Sequence, residues 1–224
     1  MVRNRFEEAL DKLNNDLDVM GDLVTVAIEK SLTSLKNCDT DLAKQVIKGD
    51  HEVNEMEKSI ERHCITLLLR QQPVASDLRL ISTALKMITD LERIGDQAAD
   101  IAEITLSYCE TSRKENSFET TSKMAEETIR MVKTALKAFR DGDLALADEV
   151  IAADDRVDAY FDSIRDQVIQ GMQDDIDEPE SLVDVLMIAK YLERIGDHAE
   201  NVAEWVVFSI TGKHESIDDL HLHV

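Results

Sequence analysis

The sequence predicts an all-α fold, two tandem three-helix bundles made of six long helices, and three observations carry that prediction. Seven glycines, two prolines and 4% aromatic residues in 224 positions are too few for an all-β chain, which needs turn residues every ten positions or so. Apolar residues recur at steps of three and four between the few breakers, as in Ile81, Leu85, Ile88, Leu91, Gly95 and Ala98. That is the stripe a helix turns toward its neighbours in a left-handed bundle. The six residues LERIGD occur twice, at Leu91 to Asp96 and at Leu192 to Asp197, which points to internal duplication.

Breakers set the elements in order. The first helix is expected from Arg3 to Lys36 and stops at NCDTD, where Asp39 or Thr40 can cap the next one. The second reaches about Arg70 and ends before QQPVASD, because Pro73 cannot continue it. The third covers about Ser76 to Glu110, and the polar stretch TSRKENS then separates the halves. The fourth ends at Arg140 before DGD and the fifth near Gly171 before DDIDEP. The sixth runs from Pro179 to about Ile210, with Gly212 as its stop. Residues 1–112 are therefore assigned to the first bundle, 113–212 to the second and 213–224 to a flexible tail.

The repeat extends beyond LERIGD. DLAKQVIKGDHEVNEMEKSI from Asp41 aligns with DLALADEVIAADDRVDAYFDSI from Asp143 once two residues are inserted, and the offset then stays at 104 from Asp50 and Asp154 onward. It falls to 101 at Glu92 and Glu193 through a shorter second interhelix loop.

Composition narrows the function. With 43% hydrophobic and 32% charged residues the chain reads as folded and soluble. A net charge of -22 repels a phosphate backbone, so direct nucleic-acid binding is not expected, whereas cations and basic protein faces are attracted. No apolar stretch approaches a membrane span, and residues 1–25 carry acids where a signal peptide needs an uninterrupted apolar run. A cytoplasmic protein without membrane insertion is the simplest expectation. Cys38, Cys64 and Cys109 are odd in number and form no CxxC pair, so neither a disulfide framework nor a cysteine zinc site is expected.

The acids carry the candidate chemistry. Glu92, Asp96 and Asp100 stand four apart in the third helix, which keeps them on one face. Glu193, Asp197 and Asn201 repeat this in the sixth, while Asp50 with Asn54 and Asp154 with Asp158 share the spacing in the second and fifth. Converging carboxylates raise one another's pKa unless a cation sits between them. Oxygen donors suit magnesium, calcium, manganese or iron, with zinc less typical, and bridging carboxylates allow multinuclear sites. Gly95 and Gly196 each cost about 1 kcal/mol relative to alanine inside a helix, so close approach of a neighbouring helix or of a ligand must compensate. The alternative is a solvated face of ion pairs, since Arg93 and Asp96, and Arg194 and Asp197, are spaced i to i+3.

Enzyme readings have less support. No histidine has Glu three positions before it, as a ferritin-like di-iron site requires. GxxxxGK[ST], GxGxxG and GxSxG are all missing. His198 points away from Asp197 as a surface or outer residue, Trp205 belongs to core or interface, and the three histidines of KHESIDDLHLHV fall in the expected tail.

The residues as a whole resemble the PhoU family, from FEEALDKLNNDLDVMGDLV through both halves and stopping before the tail, most specifically in the duplicated LERIGD(Q/H)A(A/E)(D/N). The resemblance implies paired three-helix bundles with multinuclear metal clusters on E(D)xxxD motifs. These fall on Glu92, Asp96 and Asp100, on Glu193 and Asp197, on Asp50, and on Asp154 with Asp158; Asn54 and Asn201 depart from the acidic pattern and would offer carbonyl oxygens. It further implies a non-catalytic negative regulator, acting as a homodimer. Such a regulator links the ATPase subunit of a phosphate ABC transporter to a sensor histidine kinase, so that phosphate-starvation genes stay off when phosphate is plentiful. The competing readings are a metal-storage or metal-dependent hydrolytic bundle on the same acids, and a metal-free structural adaptor.

Overall fold

The computed structural model describes residues 2–71, 73, 75–111, 119–173 and 179–213. They form six helices: α1 (Val2–Asn37), α2 (Thr40–Gln71), α3 (Ala75–Thr111), α4 (Glu119–Asp141), α5 (Leu144–Gln173) and α6 (Pro179–Thr211). The observed ends lie within a residue or two of those expected from the breakers. The tail from residue 214, with its expected flexibility and its histidines, lies outside the described residues, as do 112–118 and 174–178.

Two turns of one design join α1 to α2 and α4 to α5. The Asp39 amide donates to the Ser34 carbonyl at 2.9 Å, and the Asp143 amide to the Ala138 carbonyl at 3.0 Å. The residue before each aspartate is left-handed, Cys38 at φ 48° and Gly142 at φ 63°. Each aspartate then caps the next helix: Asp39 Oδ1 accepts from the Leu42 amide at 2.9 Å, and Asp143 Oδ1 from Ala145 and Leu146 at 2.9 and 3.2 Å. Asp39, and not Thr40, is therefore the cap. The matching turns also correct the repeat. Asp39 corresponds to Asp143, so the offset is 104 from the turn onward and no insertion is needed; the shared letters Asp-Leu-Ala are out of frame by two. Ala43 with Ala147, and Val46 with Val150, are accordingly buried in pairs.

Helices α1 to α3 pack together, as do α4 to α6, and the halves meet where α3 lies on α6 and α1 on α4. The α3–α6 pair is antiparallel. Arg79 Nε donates to the Ser209 carbonyl at 3.4 Å and Thr83 Oγ1 to the Trp205 carbonyl at 3.3 Å, while Asp90 meets His198 further along. Trp205 occupies this seam, with Lys86 Nζ 5.6 Å from its ring and Phe208 edge-on at 5.8 Å. Along the other seam Lys133 pairs with Glu29 and Arg140 with Asp18, both at 3.2 Å. A Cβ on Gly21 would stand inside Leu136, so glycine sets the closeness of α1 and α4 there. One continuous core spans both repeats.

The cysteines overturn an expectation. Cys38 and Cys109 form a disulfide with their Cα atoms 5.5 Å apart, and Cys64 is free and buried. The bridge fastens the α1–α2 turn to the last turns of α3. An odd count concealed it because pairing depends on which helix ends meet in space. Among the described residues no helix is long and apolar enough to cross a membrane.

Candidate metal centre

Each LERIGD glycine admits one residue pair of the neighbouring helix. A Cβ on Gly95 would meet Val53 Cγ1 at 3.1 Å and Asp50 Oδ1 at 3.5 Å; a Cβ on Gly196 would meet Val157 Cγ1 at 3.1 Å and Asp154 Oδ1 at 3.3 Å. The two accounts of these glycines are thus one. The missing side chain lets a helix in, and that helix carries an aspartate to the acids of α3 or α6.

The first face brings Asp50 and Asn54 of α2 to Glu92, Asp96 and Asp100 of α3, all half-buried. Asn54 Nδ2 donates to Asp50 Oδ2 at 2.8 Å, which leaves Asp50 Oδ1 and Asn54 Oδ1 buried without a partner. Burial, then the Asp96 charge, raises the Asp50 carboxyl against the opposing Asn54 hydrogen bond. Burial and Asp96 raise Glu92, and burial, Glu103 and Asp96 raise Asp100. Glu57 of α2, not anticipated from the repeat, is raised by burial and Glu61 and also feels Asp96. The ion-pair alternative is realised here in part, with Arg93 3.1 Å from Asp96 and 3.5 Å from Glu92. Such exposed pairs contribute about 0 to 1 kcal/mol and leave the orphaned oxygens unanswered.

The second face is more acidic. Asp154 and Glu193 are half-buried, Asp158 and Asp197 exposed, and Asp154 Oδ1 is again buried and partnerless. Burial, then Asp158 and Asp197, pushes the Asp154 carboxyl up to about 6. Burial and Glu193 raise Asp197. Glu200 was missed in the repeat because its counterpart is Ala99; burial, then Asp154, pushes it up to about 7. Its place one turn after Asp197 was the available signal.

Asn201 goes elsewhere. Its Nδ2 donates to Asp90 Oδ1 of α3 at 3.4 Å, where His198 Nδ1 also lies at 2.9 Å. Its counterpart Asp100 also faces the other repeat, near enough to Tyr191 to help burial raise that hydroxyl. Between the repeats a cleft of about 560 Å³ is lined by Asp50, Arg93, Asp96, Gln97, Arg194 and His198 among others. Gln97 is only 6% exposed and its Oε1 has no partner.

Among the described residues no three His, Cys, Asp or Glu side chains already stand as a closed ligand set. The acids instead line adjoining faces of α2 and α3 and of α5 and α6. Their chemistry nevertheless fits a cation. An orphaned buried oxygen costs about 1–3 kcal/mol, and a hard ion against Asp50 or Asp154 would supply the missing partner and favour the charged carboxylates around it.

A family model described as the PhoU domain matches residues 17–105 and again 121–206. A phosphate-specific transport system accessory protein PhoU homolog from Clostridium acetobutylicum is 36% identical, across 98% of this chain and all of that protein. The phosphate-specific transport system accessory protein PhoU of Escherichia coli is 32% identical, across 95% of this chain and 88% of that protein. Among solved structures, PhoU from Pseudomonas aeruginosa has a TM-score of 0.88 at 34% identity, covering 93% of this chain and 100% of that one. The phosphate transport system regulatory protein PhoU from Streptococcus pneumoniae has a TM-score of 0.86 at 28% identity, covering 93% and 98%.

Proposed function

Because this chain belongs to the PhoU family, we propose that it is a non-catalytic cytoplasmic regulator of phosphate uptake that carries cations on its two acidic faces. The observation that carries the cation reading is the pair of buried, partnerless oxygens, Asp50 Oδ1 and Asp154 Oδ1, set at equivalent places behind Gly95 and Gly196. Asp50, Asn54, Glu92, Asp96 and Asp100 would hold the first site, and Asp154, Asp158, Glu193, Asp197 and Glu200 the second. A bound cation supplies charge neutralisation there. The chain's own residues fix α2 against α3 and α5 against α6.

The regulatory reading rests on the relatives' role as accessory proteins of phosphate transport. Its finer form is an adaptor, working as a homodimer, that joins the ATPase subunit of a phosphate ABC transporter to a sensor histidine kinase and keeps starvation genes off. Deleting the gene in its own host should switch on a phosphate-uptake reporter at high phosphate; an unchanged reporter overturns this role. Elemental analysis of protein purified without chelator or nickel should find stoichiometric metal that is lost on combining Glu92→Gln, Asp96→Asn, Glu193→Gln and Asp197→Asn. Metal-free protein would leave the acids as a contact face.

A further inference from the structure

The first repeat carries a covalent link where its twin carries apolar packing. Cys38 and Cys109 are bridged, and Gly142 and Ile210 hold the equivalent places in the second repeat. Near the bridge the first repeat is built of smaller or more polar groups. At the offset of 104, Ala27, Ser31 and Ser34 of α1 stand where α4 has Met131, Ala135 and Ala138; at the offset of 101, Thr105 of α3 stands where α6 has Val206. Ser31, Ser34 and Thr105 are fully buried. Each hydroxyl turns back on its own helix, Ser31 to the Ile28 carbonyl at 2.9 Å, Ser34 to Ser31 at 2.7 Å and Thr105 to Ile101 at 2.9 Å. Bonds of that kind satisfy the oxygen and fasten no helix to another.

The packing follows suit. Ala43, Val46 and Ala102 form a small cluster apart from the main core, whereas their counterparts Ala147, Val150 and Ala203 belong to the continuous one. Burial holds helices together in proportion to the apolar area removed from water. The first turns of α2 therefore depend on the bridge for what α5 obtains from packing. Asp50, whose orphaned Oδ1 belongs to the first acidic face, follows Val46 by one turn. The bridge is within reach of solvent, since Cys38 is exposed and Cys109 half-buried. Disulfides of cytosolic proteins are mostly transient or redox-sensing.

We propose that the Cys38–Cys109 bridge is a redox latch: a dithiol reductant opens it, and the first turns of α2 then part from α3 and withdraw Asp50 from the first acidic face. One thiolate of the dithiol attacks the exposed Cys38 Sγ and expels Cys109 as a thiolate. The dithiol's second sulfur then closes on the mixed disulfide and expels Cys38. Two electrons and two protons pass to the cysteines, and the reductant leaves as a disulfide. Opening releases a closure between residues 71 positions apart, and the weakly packed start of α2 is the segment that gains freedom. The second face, with no bridge to lose, keeps its form. The link to cation binding rests on the cation reading proposed for these faces; the latch itself does not.

Hydrogen exchange read by mass spectrometry on the full, metal-free chain compares oxidised protein with protein reduced by dithiothreitol. Amides of residues 43–51 should exchange at least about tenfold faster after reduction, and those of residues 147–155 should stay within about twofold. The variant Ser31→Ala, Ser34→Ala, Thr105→Val gives the first repeat the side chains of the second and should cut the acceleration at least about threefold. Unchanged exchange in 43–51, equal acceleration in both segments, or an undiminished acceleration in the triple variant overturns the proposal. Manganese titration then uses an Asp154→Asn, Glu200→Gln background, which silences the second face. Adding Cys38→Ser and Cys109→Ser, with helicity checked, should weaken binding at least about tenfold. Equal affinity with and without the cysteines overturns the withdrawal of Asp50. Manganese bound by neither protein ends the cation reading and leaves the exchange result to decide the latch.

Discussion

Val157 Cγ1 stands 3.1 Å from the point that a Cβ on Gly196 would occupy, and Val53 Cγ1 stands 3.1 Å from the same point on Gly95. Two glycines 101 residues apart thus meet two valines 104 apart at one distance, and each valine lies three residues after the orphaned aspartate.

Gly196→Ala should therefore destabilise the protein despite the better helix former. Alanine contributes about 1 kcal/mol through propensity, but crowding the stiff, β-branched Val157 costs roughly 1–3 kcal/mol. A net loss of about 1 kcal/mol in urea unfolding is expected, and combination with Val157→Ala should cost less than the two separate losses together. A stabilised Gly196→Ala protein would show that the helix pair has slack.

Manganese or iron(II) added to chelator-treated protein should raise the melting temperature. At a hundredfold excess over Kd the stabilisation is about 2.7 kcal/mol, or roughly 5–10 °C for a chain of this length. Asp50→Asn combined with Asp154→Asn should respond little, because the orphaned oxygens then belong to neutral amides. Equal shifts in both proteins would place the cation elsewhere.

Stability of the metal-free protein should fall as pH rises from about 4 to 7. The folded-state carboxyls of Asp154 and Glu200, pushed up to about 6 and about 7, hold protons that the unfolded chain has released over that window, so deprotonation favours unfolding. Relative to an Asp154→Asn, Glu200→Gln variant, the wild type should lose about 1 kcal/mol between pH 5 and 7.5, after discounting for solvent screening. Parallel pH profiles would contradict the crowding of charge described for the second face.

Oxidised protein should yield a single free thiol after denaturation, Cys64, whose burial pushes it up to about 12 and keeps it unreactive in the folded state. Cys109→Ser should cost about 2–4 kcal/mol. Cys38→Gly should cost about 1 kcal/mol less, because glycine relieves the left-handed backbone that Gly142 occupies without strain in the other turn. Equal losses would mean the turn carries no strain.

The elements were legible because their limits are local. Pro73 and Pro179 cannot continue a preceding helix, Gly142 and Gly212 stand beside polar turn residues where a left-handed φ is taken up, and LERIGD announced the duplication. The candidate acids were legible from spacing alone, down to Asp50 and Asp154. What escaped depended on tertiary register. Cys38 and Cys109 are separated by 71 positions, and nothing local relates them. Asp90 draws His198 and Asn201 only because α3 and α6 run antiparallel, and Glu200 joins the second face without a counterpart in the first. The frame of α2 against α5 was misread by two residues because letters were matched where a left-handed turn and its capping aspartate set the register.

The Cys38–Cys109 bridge also governs how the molecule would bear tension. Pulled by its two ends, the chain transmits force across the bridge, and the residues between the two cysteines are bypassed. A stretch spanning 71 positions, worth about 250 Å when drawn out, never comes under load, although it includes all of α2 and the first LERIGD. The second repeat has Gly142 and Ile210 where the bridge would be and must pay out its full length. An optical trap should record an extension shorter by about that amount until a reductant is added, when the hidden length appears.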